Sequence, residues 1–308
     1  MPELPEVEYT ARQLRGAIVG ATISEALVFW ERTIDHPDVP NFLAEIADRR
    51  ILDVRRRGKF LIIDLDGEVL LTIHRRMTGN LLLLPPGWEI DTNLKTTDPV
   101  AWSIKGPSFR PWNTEDTTNG AATDLFYCRV CFNLFDGRRL LFIDTRKFGR
   151  IGLWPSEREQ EALEGLGLEP FSDEFTVEAL AKALAGRKGA IKQVLLDQGV
   201  IAGLGNIYAD EALYYAAIHP LRHANSLTPD EIQRLYEGII SVLTLAIEHG
   251  GTSFSEYRDL WGEAGDNYNH VRVYHQQGKP CYRCGTPIER IVLGQRSTHF
   301  CPTCQKLT

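Results

Sequence analysis

Apolar and polar residues alternate in short runs over the first half of the chain, a pattern typical of β-strands. The runs cover residues 23–30, 60–74 and 125–144, and an Asp-Gly turn divides each of the last two into a hairpin. Such hairpins predict an antiparallel β-sandwich. Residues 86–124 interrupt the pattern with Pro, Gly, Thr, Asn and Asp at no clear period, and we predict a surface excursion there without an assigned role.

In the second half of the chain, apolar residues recur with the 3.6-residue period typical of α-helices. One helix begins at Thr228-Pro-Asp-Glu231, a capping box with proline at the first helical position. We therefore predict an α+β multidomain fold: an N-terminal helix and antiparallel β-sandwich, a helical domain and a cysteine-bearing tail. The predicted boundaries are 1–152 for the β domain, 153–172 for an acidic linker, 173–265 for the helical domain and 270–308 for the tail.

The formal net charge of −7 argues against a nucleic-acid partner, which favours a basic surface. The charge is unevenly distributed, however. Residues 155–178 hold eight acids and one Arg, whereas residues 49–80 hold eight Lys/Arg and four acids, and residues 270–308 hold six Lys/Arg and one acid. The basic stretches leave a nucleic-acid partner possible.

Neither a membrane span nor a signal peptide is evident in the sequence. No apolar run approaches the roughly eighteen residues that span a bilayer, and the N-terminus lacks the basic and apolar regions of a signal peptide. We expect a cytoplasmic protein without a membrane partner.

Four of the six cysteines form two CxxC pairs near the end of the chain. Cys281 and Cys284, followed after sixteen residues by Cys301 and Cys304, match the spacing of a tetrahedral Cys₄ zinc site. Four protein ligands leave no open position, so we predict one structural Zn²⁺. The hairpin between the pairs would present Arg290 and Arg296 to a partner.

The remaining cysteines, Cys128 and Cys131, lie within a strand pattern. Their side chains are expected to alternate between the two faces of the sheet, and no second pair lies nearby in sequence. We predict two inert strand thiols.

The chain starts MPELPEVE. Removal of the methionine would leave Pro2 with a free secondary amine, and an α-amino group titrates about two to three units below a lysine. Much more of the free base is then present near neutral pH, so Pro2 is a candidate nucleophile.

The segment GVIAGLGN, residues 199–206, separates two predicted helices. Its glycines permit tight turns, and Asn206 is placed where the N-cap of the next helix would be. The N–H groups of a helix start attract phosphate, and Lys188 and Lys192 would add positive charge. Taken alone, the segment also fits an ordinary helix connection.

Together these features resemble the formamidopyrimidine-DNA glycosylase and endonuclease VIII family of base-excision repair enzymes. The resemblance covers nearly the whole chain apart from residues 86–124. It rests on the stretches MPELPEVE, RRRGKF, IHRRMTG, IDTRKFG, IKQVLLDQGVIAGLGNIYADEALYYAAIHP and VYHQQGKPCYRCG with GQRSTHFCPTC. It implies a helix-two-turn-helix that grips backbone phosphates and a zinc finger that completes the DNA groove.

The resemblance also implies the roles of the catalytic residues. A Pro2 amine attacking the sugar C1′ displaces the base and forms an iminium ion, and Glu3 moves protons at the sugar and the leaving base. Glu6 positions the terminus, although both acids could instead complement a helix start. Lys59 and Arg296 complete the predicted catalytic set. Alternatively, Lys59 is an ordinary basic side chain exposed to solvent.

An extruded base leaves a gap in the duplex, and side chains of the protein are expected to fill it. Met77, Arg146 and Phe148 match the family's void-filling residues, although Met77 taken alone fits a core position. The other predicted DNA contacts are His74, Lys147, Lys192 and Asn206. Three positions depart from the family pattern: Arg75 replaces an apolar residue, Thr145 a proline and Lys147 an arginine.

We expect a bifunctional glycosylase and AP lyase acting on duplex DNA that contains oxidised purines or abasic sites. Residues 251–268 match the family's region that covers the extruded base. An endonuclease VIII-like preference for oxidised pyrimidines and a damage-binding relative without catalysis are the alternatives. We expect a monomer from the resemblance.

Overall fold

The computed structural model of the chain describes residues 2–87, 89–91, 101–105, 123–254 and 256–307. Met1 lies outside this set, so the expected removal of Met1 is not addressed by it. Three short strands that lie in or overlap residues 86–124 form a sheet of their own, in the order β7-β8-β9, and the last of them extends to Phe126. The rest of the predicted excursion lies outside the described residues.

Secondary structure follows the predicted order of strands and then helices. The N-terminal part contains α1 (Leu4–Ile18), β1 (Ile23–Val28), β2 (Ile34–His36), α2 (Val39–Ile46), β3 (Ile51–Arg57), β4 (Phe60–Leu65), β5 (Val69–His74), β6 (Gly79–Leu84), β7 (Glu89–Asp91), β8 (Ala101–Lys105), β9 (Thr123–Phe126), β10 (Cys128–Leu134), β11 (Arg139–Asp144) and β12 (Arg150–Pro155). The remainder contains α3 (Glu159–Ala162), α4 (Val177–Ala185), α5 (Ile191–Leu196), α6 (Asn206–Ala216), α7 (Pro229–Glu248), β13 (Glu289–Leu293) and β14 (Arg296–Phe300).

Two sheets form the predicted β-sandwich. One has the order β1-β10-β11-β6 and is antiparallel, and the other has the order β2-β12-β5-β4-β3, in which only the short β2–β12 pair is parallel. Alternate residues of both sheets, such as Leu71 and Phe142, share a buried cluster with Val7, Leu14 and Ile18 of α1. The N-terminal helix therefore packs into the sandwich core.

The helical domain has a separate core, built from apolar residues of α4 to α7. Its longest helix, α7, begins with the predicted capping box: Glu231 N–H donates to Thr228 Oγ1 at 3.3 Å, and Thr228 N–H donates to Glu231 Oε2 at 2.8 Å. Leu4 at the start of α1 belongs to this core. The N-terminus of the chain thus lies where the two domains meet. None of the described helices has the length and apolar content needed to cross a bilayer.

The predicted alternation of Cys128 and Cys131 is wrong. A β-bulge between Cys128 and Val130 shifts the register against β11, so both thiols face the same buried cluster with Leu141 and Ile143. Burial raises the pKa of Cys131 to about 12 and that of Cys128 well above its usual value. The thiols are protonated and buried, in accord with an inert pair.

The basic stretch before Lys59 is neutralised in space by the acidic segment that follows the sandwich. Arg55 pairs with Glu159 at 2.6 Å, and Arg56 and Arg57 each contact Glu169 at 2.5 Å. Three of the eight basic residues in the stretch 49–80 are therefore paired with acids that lie far away in the sequence.

Arg75, where the family usually has an apolar residue, is fully buried, with 1% of its surface exposed. Its guanidinium donates to Thr10 Oγ1 at 2.9 Å, to Asn80 Oδ1 at 2.7 Å and to the carbonyl oxygens of Gly79 and Arg258 at 2.9 and 3.3 Å. It thereby joins α1, the β5–β6 turn and the segment after α7.

We expect Arg75→Met to lower the free energy of unfolding by about 2–4 kcal/mol, because the substitution leaves several buried acceptors without a donor. Urea titration followed by circular dichroism measures the change. Arg12→Met is the matched control, since the Arg12 side chain is 61% exposed and its pair with Glu8 lies on the helix surface. Equal effects of the two substitutions would contradict the role given to Arg75.

Candidate active site

A cleft of about 520 Å³ lies between the sandwich, the helical domain and the β13–β14 hairpin. It is lined by Lys59, His74, Arg76, Met77, Phe148, Arg150, Leu196, Gln198, Gly205, Asn206 and Arg296. Four of these side chains are Lys or Arg, so the wall of the cleft is basic although the chain as a whole is acidic. Such a wall suits a polyanionic ligand.

Glu3 lies behind this wall, 2% exposed and directly against Gly205. Its carboxylate accepts hydrogen bonds from the N–H groups of Ile207 at 3.1 Å and Tyr208 at 3.5 Å, in the first turn of α6. Burial raises the pKa of Glu3, while the Lys59 ammonium opposes the rise and Glu6 adds to it. The preceding residue, Pro2, is also buried.

Glu6 accepts three hydrogen bonds from three parts of the chain. The Glu3 N–H donates at 2.7 Å, the Tyr208 hydroxyl at 2.5 Å and the Thr252 N–H at 2.8 Å. Glu6 therefore fixes the N-terminal backbone to α6 and to the segment after α7. These contacts agree with the positioning role that the resemblance implies.

The glycines of GLGN are needed for close approach to the N-terminus. A Cβ on Gly205 would lie 2.2 Å from the Glu3 carboxyl carbon, and one on Gly203, whose φ is +90°, would lie 2.7 Å from the Leu4 side chain. Leu4 N–H also donates to the Gly203 carbonyl at 3.0 Å. The α6 N–H groups expected to attract phosphate bind the Glu3 carboxylate instead.

Asn206 is not the N-cap of α6, as the sequence suggested. Gly205 occupies that position, and the Asn206 amide donates across the domain boundary to the Ser297 carbonyl of β14 at 3.0 Å. Asn206 still lines the cleft.

The prediction that Lys192 is a surface contact to DNA is wrong, because its side chain is 0% exposed. Its ammonium pairs with Asp210 at 2.6 Å and donates to the Ser297 carbonyl at 2.9 Å. Lys192 and Asn206 therefore both hold the hairpin residue next to Arg296. The pattern of the sequence gave no sign of this arrangement, since Asp210 follows Lys192 by eighteen positions.

Lys59 and His74 both contribute to the cleft wall. Burial lowers the pKa of Lys59, an effect opposed by Glu3 and Glu6, and Lys59 is 7% exposed. Burial and the neighbouring Arg76 lower the pKa of His74 to about 3, and His74 Nδ1 accepts the Arg76 N–H at 3.0 Å. His74 is therefore neutral at physiological pH, and its contacts there are hydrogen bonds.

Met77, Arg146 and Phe148 lie on two neighbouring turns, and Met77 and Phe148 both line the cleft. One buried carboxylate holds these turns together: Asp144 accepts the Thr78 hydroxyl and the Arg146 and Gly149 N–H groups. The sequence analysis missed Asp144. An acid between the end of a strand and a basic cluster could have indicated a carboxylate that holds the following turn in place.

Two cationic side chains of this region rest on aromatic rings. The Arg146 guanidinium lies 4.9 Å from the Phe148 ring centre, and the Lys147 ammonium lies 4.2 Å from that of Trp30. Arg146 and Phe148 are exposed, whereas Lys147 is half-buried and its charge is directed to Trp30.

The segment 251–268, expected to cover an extruded base, packs against the sandwich in this structure. Leu260 belongs to the sandwich core, its carbonyl accepts the Leu83 N–H at 3.1 Å, and its N–H donates to Gln13 at 3.0 Å. The described residues of the segment are not among those lining the cleft. Its contact with the site runs through Thr252 and Glu6.

The four tail cysteines form the predicted zinc site. Sulfur atoms of Cys281 and Cys304 are 3.9 Å apart and those of Cys284 and Cys301 are 3.5 Å apart, close to the ~3.8 Å between ligands of a tetrahedron with Zn–S bonds of about 2.3 Å. The cluster is docked on α6, where the Arg283 guanidinium donates to the Tyr214 carbonyl at 2.8 Å. The metal is structural and fixes the hairpin that carries Arg296.

Three family models match the chain. Residues 1–151 match the formamidopyrimidine-DNA glycosylase N-terminal domain, residues 166–258 the formamidopyrimidine-DNA glycosylase H2TH domain, and residues 278–307 a zinc finger found in FPG and IleRS.

Relatives match over the full length. Formamidopyrimidine-DNA glycosylases of Herpetosiphon aurantiacus and Chloroflexus aggregans are 42% and 43% identical, covering 99% and 100% of this chain and 100% and 99% of theirs. Among solved structures, a Lactococcus lactis Fpg complex with abasic-site DNA has a TM-score of 0.81 at 30% identity, over 99% of this chain and 100% of that one. Complexes of the Lactococcus lactis protein with Fapy-dG DNA and with oxidised-pyrimidine DNA have TM-scores of 0.80 at 29% and 30% identity, with the same coverage.

We expect Gly205→Ala to lower turnover about 100-fold, because the added Cβ displaces the Glu3 carboxylate. Single-turnover cleavage of an abasic duplex measures the effect. Gly16→Ala in α1 is the control, since a Cβ there meets nothing within 4 Å and should leave turnover unchanged. Similar rates for both variants would count against the close packing of Glu3 on Gly205.

We expect Glu3→Gln to stabilise the protein at pH 8 more than at pH 5. A raised pKa means that the native state holds the Glu3 proton more tightly than the unfolded state does. The contribution of Glu3 to the free energy of unfolding therefore falls as the pH rises through the pKa of Glu3 in the native state. Glutamine does not ionise, so the variant does not lose this stability at high pH. Thermal melts of wild type and variant at the two pH values test the sign, with exposed Glu45→Gln as the control; a pH-independent difference would refute it.

Proposed function

The chain belongs to the formamidopyrimidine-DNA glycosylase family, and we propose that Pro2 is the nucleophile with which it excises oxidised bases from DNA. Members of this family are base-excision repair glycosylases with AP lyase activity, and this chain is such an enzyme. The observation that carries the assignment of residues is the buried Glu3, next to Pro2 and behind a basic cleft wall.

In the first step the Pro2 nitrogen attacks C1′ of the damaged nucleotide and the glycosidic bond breaks. The departing base takes the bonding electrons together with a proton from Glu3. A raised pKa favours this step, because more of the carboxyl group is protonated near neutral pH. The nitrogen then loses its own proton, and its lone pair expels O4′ from C1′; O4′ takes up a proton as the sugar ring opens, which leaves an iminium ion between Pro2 and the open sugar.

The iminium ion is an electron sink for strand cleavage. Glu3, now a carboxylate, takes a C2′ proton, and the electrons left behind expel the 3′ phosphate. A second elimination, in which the C4′ proton is lost, expels the 5′ phosphate, and hydrolysis of the iminium frees Pro2. Because a secondary amine gives an iminium with no N–H proton to lose, the cation cannot collapse to a neutral imine, and it is re-formed after the first elimination to serve in the second.

The cleft wall supplies the binding energy. Lys59 and Arg296 are proposed to contact the phosphates at the lesion, with His74 as a neutral hydrogen-bonding partner and Asn206 at the cleft edge. The zinc finger, Lys192 and Asn206 together hold the position of Arg296. Asp144 similarly supports the proposed void-filling residues Met77, Arg146 and Phe148.

Oxidised purines are the proposed substrate class, on the resemblance of the ELPE opening to purine-excising members. A second candidate, oxidised pyrimidines, is favoured by one observation: a Lactococcus lactis relative has been solved with DNA containing an oxidised pyrimidine as well as with Fapy-dG DNA. A monomeric state, a cytoplasmic location and the domain boundaries 1–152, 153–172, 173–265 and 270–308 remain predictions.

We expect borohydride to trap a covalent adduct between the protein and duplexes bearing an abasic site or 8-oxoguanine, and the Pro2→Gly variant to lose roughly 100-fold or more of the trapping rate. Denaturing gels measure the adduct, and a thymine glycol duplex tests the second candidate. N-terminal sequencing of the same sample establishes that Pro2 is the first residue.

Pro40→Gly is the matched control, because Pro40 is exposed near the start of α2 and away from the cleft. It should trap at the wild-type rate. Binding without any adduct would instead support the damage-binding alternative, and full trapping by Pro2→Gly would move the nucleophile elsewhere.

A further inference from the structure

Three metal-ligating side chains converge outside the cleft and apart from the cysteine cluster. His249 follows the last residue of α7, and Asp266 and His270 lie at the far end of the segment that starts there. We propose that they form a second metal site, which takes a divalent transition metal such as Zn²⁺. The site does not depend on the proposed roles of the cleft residues.

The ligand atoms are arranged around a common point. His249 Nδ1 lies 3.8 Å and His270 Nε2 lies 3.9 Å from the same Asp266 oxygen, Oδ2, and the three ligand atoms lie within 4.8 Å of one another. A tetrahedral zinc ion with bonds of about 2.0–2.1 Å needs ligand atoms roughly 3.4 Å apart. The two distances to Asp266 must therefore shorten by about half an ångström, and the distance between the two imidazole nitrogens by at most about 1.4 Å, which rotation of the side chains can supply.

The backbone holds the three residues in place. Asp266 N–H donates to the His249 carbonyl at 2.8 Å, and His270 N–H donates to the Asn267 carbonyl at 2.9 Å. The Asn269 amide donates to Asp266 Oδ1, which turns Oδ2 towards the two histidines. The imidazole rings are 3.7 Å apart between centroids, so both are already brought together without an ion.

The chemistry of the donors selects the metal. Two imidazole nitrogens and one carboxylate oxygen suit zinc and its neighbours, whereas magnesium and calcium prefer oxygen ligands alone. The side chains of His249, Asp266 and His270 are 31%, 59% and 32% exposed, so water can reach the ion and complete its coordination.

A metal bound here would stabilise the segment that hydrogen-bonds Glu6. The site joins the end of α7 to residues 266–270, and Thr252, which donates to Glu6 Oε1, pairs with Asp266 between these ends. A bound ion would therefore tie both ends of the segment to the same helix terminus.

Equilibrium dialysis of the full chain against buffered Zn²⁺, with metal content measured by plasma mass spectrometry, tests the site. We expect two zinc equivalents per chain below about 100 µM free Zn²⁺, one of them in the cysteine cluster. The double variant His249→Gln/His270→Gln should hold one equivalent. His36→Gln/His223→Gln, which removes two histidines elsewhere, should still hold two.

A thermal melt gives a second readout. Added Zn²⁺ should raise the melting temperature of wild type and of the His36/His223 control, and should raise that of His249→Gln/His270→Gln less. Asp266→Asn, which keeps the backbone contacts, should bind the second equivalent more weakly. A stoichiometry of one in wild type, or a second equivalent retained by the His249/His270 double variant, overturns the proposal.

Discussion

The site depends on one contact, between the buried Glu3 carboxylate and the start of α6. The carboxylate accepts hydrogen bonds from the first N–H groups of α6, so the N-terminus is anchored to the start of a helix in the other domain. Gly205 has no side chain at the point of contact, and Gly203 accommodates Leu4. Burial that holds Glu3 in place also raises its pKa, so one environment supplies both position and proton affinity.

A second layer of buried polar groups supports this contact. Glu6 collects donors from the N-terminus, from α6 and from the segment after α7, and Arg75 joins the same segment to α1 and the β5–β6 turn. Each group is satisfied by several partners, which is the condition for a buried ion to be tolerated. The sandwich, the helices and the connecting segment are therefore coupled at one place.

The zinc finger contributes position rather than chemistry. Its cysteine cluster is docked on α6, while its hairpin carbonyl at Ser297 is held by Lys192 and Asn206. Both anchors reach the same helical region, so Arg296 is brought to the cleft by a small module that has little apolar core of its own.

Local patterns determined much of this protein. Strand alternation, the capping box of α7 and the CxxC spacing each depend on residues a few positions apart, and the sequence predicted the sandwich, the helical domain and the zinc site from them. Only the tertiary structure decided which charges are free. Lys192 is buried against Asp210, Arg56 and Arg57 are paired with Glu169, and a bulge turns Cys128 and Cys131 to one face. Partners of this kind lie many residues apart or depend on register, and no periodicity in the chain records which of them will meet.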